Sequence, residues 1–374
     1  MDTVRLVYYC DRKLTAENSP FRVFAMNDFG FPQSMLIGEE FAVLYGCYFP
    51  TITYCERPLG RGGSGMSFEL VVEFSVPKLL YQNNLQEVSE NELDEVAKVL
   101  SDRMRAMGID WVSPDDVKKM YVRRVDVCKN IIFDSKTAAK DAVRSINTAD
   151  LRKTFDFDNH EYGNGGYSVF WSNKNERISF YDKGEDLRRA KISSKKALDE
   201  DAYYEGGFSG CWKKDCVLRF EIKMRQKGTI VRRMKSVGLN IPEEWDFQHL
   251  FKEEIWRALL LGRFNEVYAS IPKIPLDSDT TDKLLANIVA EESGSRGGAA
   301  RSLERLGMLC ALRDGISYKE ISTMFEDAFG THIRRKLKNI REPPDSRQLK
   351  NLIQIKKNIE NFRPITSVTA LELA

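Results

Sequence analysis

A run in which apolar and charged residues alternate one by one fits a half-buried β-strand, and this chain carries several such runs. VRRVDVCKNIIFD (122–134) sets Val125 and Val127 against Arg124 and Asp126, and VLRFEIKMR (217–225) alternates in the same way. Successive side chains of a strand point to opposite faces, so each run offers one face to a core and one to charge. YSVFWS (167–172) and RISFYDK (177–183) flank the turn-like Asn173-Lys174-Asn175, a hairpin signature. FAVLYGCYF (41–49) and MSFELVVEFSV (66–76) are β-branched and aromatic, and they read as strands too. Between them GRGGSG (60–65) lacks a following Lys-Ser/Thr pair, so it reads as a hairpin tip and not a phosphate-binding loop.

Helices interrupt these strands. Ser89 and Glu92 form a capping-box pattern, and Leu93, Val96, Ala97, Leu100, Met104 and Met107 recur at helical spacing until Gly108. A shorter helix is predicted from Lys136 to Ile146. The expected class is therefore α+β, an antiparallel-rich sheet with packed helices. After about residue 245 the pattern turns helical, with the amphipathic FKEEIWRALLLGRF and a glycine-rich hinge, EESGSRGGAA (291–300). Two units follow from this: an α+β domain over 1–245 and a helical C-terminal region over 246–374. The tail, with short helices, Gly330 and the basic THIRRKLKNI, fits a helix-turn-helix but equally any small bundle.

Composition narrows the function classes. With 374 residues, 42% hydrophobic and 30% charged, the chain can bury a core, and no stretch approaches the ~20 apolar residues of a membrane span. The opening MDTVRLVYYCDRK lacks the pattern of a signal peptide, so a cytosolic location is expected. Seven scattered cysteines read as free thiols, and Cys211 and Cys216 have no second pair to complete a zinc site. The net charge of +2 does not announce nucleic acid, but RRMK (232–235) and RRKLK (334–338) are local basic patches able to contact phosphates. Each also reads as a solvated helix face. Three separated histidines, His160, His249 and His332, supply no metal pair or catalytic triad.

Chemistry must then come from carboxylates, tyrosine and lysine. Glu73, Asp126 and Glu221 each lie inside a strand-like run, where an acid must face solvent, pair with a base or bind a cation. Arg124 and Arg219 precede two of them by two residues and share their faces, so ion pairing is an alternative to metal binding. Carboxylate oxygens suit Mg²⁺ or Mn²⁺, and such an ion can polarise a phosphodiester. Tyr181 offers a hydroxyl at a strand end, with Lys183 two residues on and expected on the same side. A phenol with a pKa near ~10 needs a metal, a base or a cation to attack phosphate. On these grounds alone Tyr181 is one of fourteen tyrosines, any of which can be core.

Four segments in order, VVEFSVPKLLYQNNL (71–85), VRRVDV (122–127), FWSNKNERISFYDKGEDL (170–187) and VLRFEIKM (217–224), resemble the replication initiators of filamentous bacteriophages, the gene II protein family. More distantly they resemble plasmid rolling-circle initiators. SLERLGMLCALRDGISYKEISTMF in the tail is similar to that family's C-terminal part. The resemblance implies site-specific nicking of a double-stranded origin, with Tyr181 in the position of the nucleophile and Lys183 supporting it. It implies metal ligation by Asp126, Glu221 and Glu73, each matching an acid of the family pattern. Tyr167 is the rival nucleophile, on the hairpin's first strand. Origin DNA, a host helicase and a host DNA polymerase are the implied partners, with no membrane and a host bacterial cytoplasm as the setting. A non-catalytic DNA-binding regulator and a relaxase-type nickase serving DNA transfer are the alternatives.

Overall fold

The computed structural model describes residues 1–10, 24–26, 32–58, 66–149, 151, 157–163, 165–186, 216–240, 242, 245–271 and 346–365, with isolated pairs at 302–303, 306–307 and 323–324. Its strands are β1 (Thr3–Cys10), β2 (Phe24–Met26), β3 (Pro32–Leu36), β4 (Thr51–Pro58), β5 (Met66–Ser75), β6 (Tyr121–Phe133), β7 (Asn159–Gly163), β8 (Ser168–Ser172), β9 (Glu176–Asp182) and β10 (Cys216–Met224). They form one ten-stranded sheet in the order β2-β3-β4-β5-β1-β6-β10-β9-β8-β7. Every neighbouring pair is antiparallel. The protein is thus α+β with an antiparallel sheet, the class its alternating runs predict.

The alternation sorts the sheet into two faces. Val125, Val127, Ile131, Ile178, Phe180, Leu218, Phe220 and Ile222 are buried together in the main core. Phe180 and Phe220 stack across the β9–β10 ladder with centroids 4.3 Å apart, a cross-strand aromatic pair adding about 0.5–1.5 kcal/mol beyond its buried area. The helix α3 (Leu93–Ala106) turns Val96, Ala97, Leu100 and Met104 to this core. The preceding 3₁₀ turn carries the Ser89–Glu92 capping box, and Gly108 takes the left-handed φ of 89° just past the helix. Helix α5 (Lys136–Asn147) adds Ala139, Ala142, Val143 and Ile146.

One expected strand is a helix. Residues 41–49 contribute to α1 (Gly38–Tyr45), which stops at Gly46 in the left-handed region at φ 66°. Only Val43 among its helical residues is β-branched, and Glu39 and Glu40 suit a helix's first turn. Period two also fails here, because Val43, Leu44 and Tyr45 are all exposed while Ala42 is buried. The strand in this part of the sheet is β4, a few residues later.

The helices beyond residue 245 join the same core. In chain order after α2 (Val76–Tyr81) and α4 (Pro114–Lys119) come α6 (Lys227–Ser236), α7 (Phe247–Leu250), α8 (Glu253–Ser270) and α9 (Ser346–Asn361). Trp256, Leu259, Leu260 and Phe264 of α8 and Leu352, Ile355 and Ile359 of α9 lie in one apolar cluster with the strands. After α9 the chain ties back to the sheet: the Ile365 carbonyl accepts from Glu87 N at 2.9 Å, Ile365 N donates to Glu87 Oε2 at 3.1 Å, and the Arg363 carbonyl accepts from Lys129 Nζ at 2.9 Å. The expected boundary at 245/246 therefore falls within one packed unit among the described residues. Helical spacing shows that a segment is amphipathic but not which surface it covers. The linker at 291–300, the basic run 334–338 and the turn at 60–65 lie outside the described residues. So do Cys211 and His332.

Candidate active site on the polar face

The strand residues that point away from the core build a band of charge across β5, β1, β6 and β10. Register sets Glu73 opposite Arg5 and Arg5 opposite Arg124. Asp126 stands opposite Lys223. Arg5 Nε donates to Glu73 Oε2 at 2.7 Å, and Arg124 Nη1 donates to Glu73 Oε1 at 3.0 Å. The same Arg124 grips both oxygens of Asp126, at 3.1 and 2.8 Å. Lys223 Nζ then lies 3.6 Å from Asp126 Oδ2 and 3.3 Å from Glu221 Oε2.

Burial divides these acids. Asp126 and Glu221 are 1% and 3% exposed, whereas the Glu73 side chain is 32% exposed. Desolvation pushes the Asp126 carboxyl up to about 6, against the opposing pull of Arg124 and Lys223, and Glu221 raises it further. Lys223 is held above its usual value because Glu221 and Asp126 outweigh the desolvation that works in the other direction. The expected metal set is only partly assembled. Asp126 and Glu221 sit diagonally on adjacent strands and present oxygen donors of the kind a hard divalent ion takes. Glu73 does not converge with them, because β1 lies between its strand and β6 and its register partner there is Arg5. Among the described residues no three His, Cys, Asp or Glu are grouped to hold a metal ion.

Tyr181 lies on the same face, directly opposite Arg219 on β10 and Ser168 on β8. It is partly exposed. Burial pushes its phenol well above 10, Glu221 adds to the rise, and Arg219 opposes it. Arg219 is fully buried, and Nε donates to Asn130 Oδ1 at 2.9 Å. It also reaches Asp2 at 3.5 Å and the Asn84 carbonyl. The expected pairing of Arg124 with Asp126 is present, but Arg219 takes these partners instead of Glu221.

Lys183 reaches Tyr181 by a different route from the expected strand alternation. The strand ends at Asp182, whose Oδ1 accepts from Glu185 N at 3.0 Å and caps a helical turn over 183–186. That turn brings Lys183 Nζ to 5.7 Å from the Tyr181 ring centre, with Asp186 Oδ2 at 2.7 Å. Desolvation first, and then Arg219, lowers the Lys183 ammonium below its usual value. The rival Tyr167 packs on the other side of the hairpin, its ring 5.2 Å from Lys140 Nζ of α5. It faces the helices and not the acids.

Sequence reading also left out Arg5, Asp2, Asn130 and Lys223. The alternation in LRFEIKM placed Lys223 beside Glu221, but its role between two acids depends on β6 lying alongside. In the basic run 232–235, Arg233 is a structural cation, bonded to Glu176 at 3.0 Å on the core side. No protein-family model, curated protein or solved structure matches the chain. Among the described residues no helix is long and apolar enough to cross a membrane.

Proposed function

We propose that the protein is a rolling-circle replication initiator that nicks and rejoins one DNA strand through Tyr181. The observation that supports this most directly is the placement of Tyr181. It stands on the polar face, opposite Arg219 and beneath Lys183, with Glu221 on the adjacent strand β10 and Asp126 on β6, one strand further.

Tyr181 Oη attacks the scissile phosphorus, and the bond to the 3′ oxygen breaks as the phosphotyrosine bond forms. The products are a 5′-phosphotyrosine and a free 3′-OH. The proton lost by the phenol ends on the departing 3′ oxygen, which becomes the free 3′-OH. Arg219 and Lys183 supply fixed positive charge beside the nucleophile, which favours the negative charge that develops in the transition state. Mg²⁺ or Mn²⁺, held by Asp126 and Glu221, would add Lewis-acid stabilisation of the phosphate. The phosphodiester energy is kept in the tyrosine link, so the reverse reaction rejoins the strand. In a host bacterial cytoplasm the 3′-OH would prime a host DNA polymerase while a host helicase opens the duplex.

The test is incubation of the full chain with supercoiled origin DNA and Mg²⁺, followed by denaturation and mapping of any covalent adduct. An adduct on Tyr181 supports the reading. Origin binding without any adduct would identify a non-catalytic DNA-binding regulator, and an adduct on Tyr167 would move the nucleophile to the hairpin's other strand.

A further inference from the structure

The polar face continues past Tyr181 toward the sheet edge, and there its chemistry changes from charge to a stacked ring and guanidinium. Ser168, Phe170 and Ser172 of β8 stand opposite Tyr181, Ser179 and Arg177 of β9. Phe170 and Arg177 are therefore diagonal neighbours on the face that carries Tyr181. The Arg177 guanidinium carbon lies 3.7 Å from the Phe170 ring centre, and Nε donates to Ser179 Oγ at 3.1 Å. Both side chains are partly exposed.

Arg177 differs from the other arginines of this face in its partners. Arg5 and Arg124 are matched by Glu73 and Asp126, and Arg219 by Asp2 and Asn130. Among the described residues Arg177 is paired with a ring and a hydroxyl, and with no carboxylate. A planar guanidinium held over an aromatic ring keeps its charge and presents π-surface. That combination is what binds single-stranded nucleic acid without reading its sequence: bases stack on the platform and phosphates meet the cation. Arg177 is four residues along β9 from Tyr181, about 13 Å at strand rise, a span covered by a few nucleotides.

From these observations we infer that Phe170 and Arg177 form a base-stacking platform for the single strand flanking the scissile phosphate. The inference rests on the reading of Tyr181 as the group that attacks DNA, and it adds a single-stranded substrate segment on the β8–β9 side of the nucleophile. Binding of the strand here would hold it unstacked while Tyr181 reacts.

The test is fluorescence anisotropy of the full chain with labelled oligo-dT and with an oligomer of equal length whose central positions are abasic, in metal-free buffer. Phe170→Ala lowers affinity for oligo-dT about tenfold or more, and Phe170→Trp retains it. Arg177→Ala weakens binding and reduces the dependence of log affinity on log salt by about 0.7. Arg177→Lys keeps the salt dependence but loses the stacking share. The abasic oligomer binds the unaltered protein as weakly as oligo-dT binds Phe170→Ala. Equal affinity of Phe170→Ala and the unaltered protein for oligo-dT overturns the platform, and so does equal affinity of the unaltered protein for the two oligomers. If Phe170→Ala does not fold, Phe170→Leu against Phe170→Trp gives the same comparison. Because binding is read without metal or cleavage, loss of the platform is distinguishable from failure of the Tyr181 assignment, which Tyr181→Phe tests in the nicking assay.

Discussion

The two faces of the β9–β10 region hold strand-embedded acids in contrasting ways. On the core face Glu176 is fully buried, and its carboxylate is held by Arg263 Nε at 2.8 Å and Arg233 Nε at 3.0 Å. Those arginines come from α8 and α6, so the acid pins two helices to the sheet. On the polar face Asp126, gripped by Arg124 at 3.1 and 2.8 Å, shares with Glu221 the Lys223 ammonium at 3.6 and 3.3 Å, on a flexible stem that is 29% exposed. The first arrangement is closed and structural. The second leaves buried acids next to a partly exposed lysine and a phenol, the arrangement on which the proposed nicking activity rests. A buried acid in a strand is thus not evidence of function until its partners are known.

The sharpest way to break this contrast is to exchange the tyrosines. Tyr181→Phe should abolish nicking of supercoiled origin DNA and leave origin binding nearly unchanged, while Tyr167→Phe, on the helix side, should nick normally. Normal nicking by Tyr181→Phe removes the functional assignment of the polar face. Next in size, Glu176→Ala removes the buried carboxylate shared by the buried Arg263 and the partly buried Arg233, leaving them only the more exposed Glu266. It should cost about 3–5 kcal/mol, as removal of one partner of a buried pair does, read as a lower urea midpoint. A shift within the range of ordinary surface substitutions would mean the two faces are not distinct.

Asp126→Asn should lower nicking roughly a hundredfold or more, since loss of several kcal/mol of charge stabilisation translates to such a factor. Excess Mn²⁺ should restore part of it. The same substitution sharpens a pH effect. Asp126 titrates near 6 in the folded protein and 3.8 is its ordinary value, so the folded state binds the proton more tightly than the unfolded state. The stabilising contribution of its protonation is complete below about pH 4 and lost as pH rises through 6, on the order of 3 kcal/mol. Urea unfolding across pH 4–7 should therefore show the unaltered protein losing stability relative to Asp126→Asn as pH rises. A parallel pair of curves would contradict the burial of this acid.

The smallest effect belongs to the exposed end of the charge band. Arg5 and Glu73 side chains are 39% and 32% exposed, and solvent screening limits such pairs to about 1 kcal/mol or less. Glu73→Gln should change stability by no more than that and nicking by only a few-fold. A loss as deep as that of Asp126→Asn would return Glu73 to the metal set that its place in the sequence suggests.

Alternation in the runs 122–134, 167–172, 177–183 and 217–225 determined four interior strands of the sheet, their faces and the hairpin at Asn173. Side-chain period two is local and needs no partner to be read. The capping box at Ser89 and the buried Met104 of α3 were legible because capping and helical spacing are likewise local. The eight-residue β1 also alternates in part, but its place between β5 and β6 is a property of the whole sheet. Residues 41–49 misled because an apolar run without a clean period fits either a helix or a strand.

The polar face was legible as residue types and not as an arrangement. The sequence determined that Tyr181, Lys183, Glu73, Asp126 and Glu221 sit on or beside strands. Tertiary structure alone decided that Tyr181 turns to the acids while Tyr167 turns to α5, that Lys183 arrives by a helical turn, and that Glu73 stays with Arg5. It also decided that α8 and α9 belong to the core of the sheet, and that Arg177 lies on Phe170 with no carboxylate among the described residues. Each of these depends on strand register, and a shift of one residue would send every side chain of a strand to the opposite face. Register is set by contacts between segments far apart in the chain, which no single segment encodes.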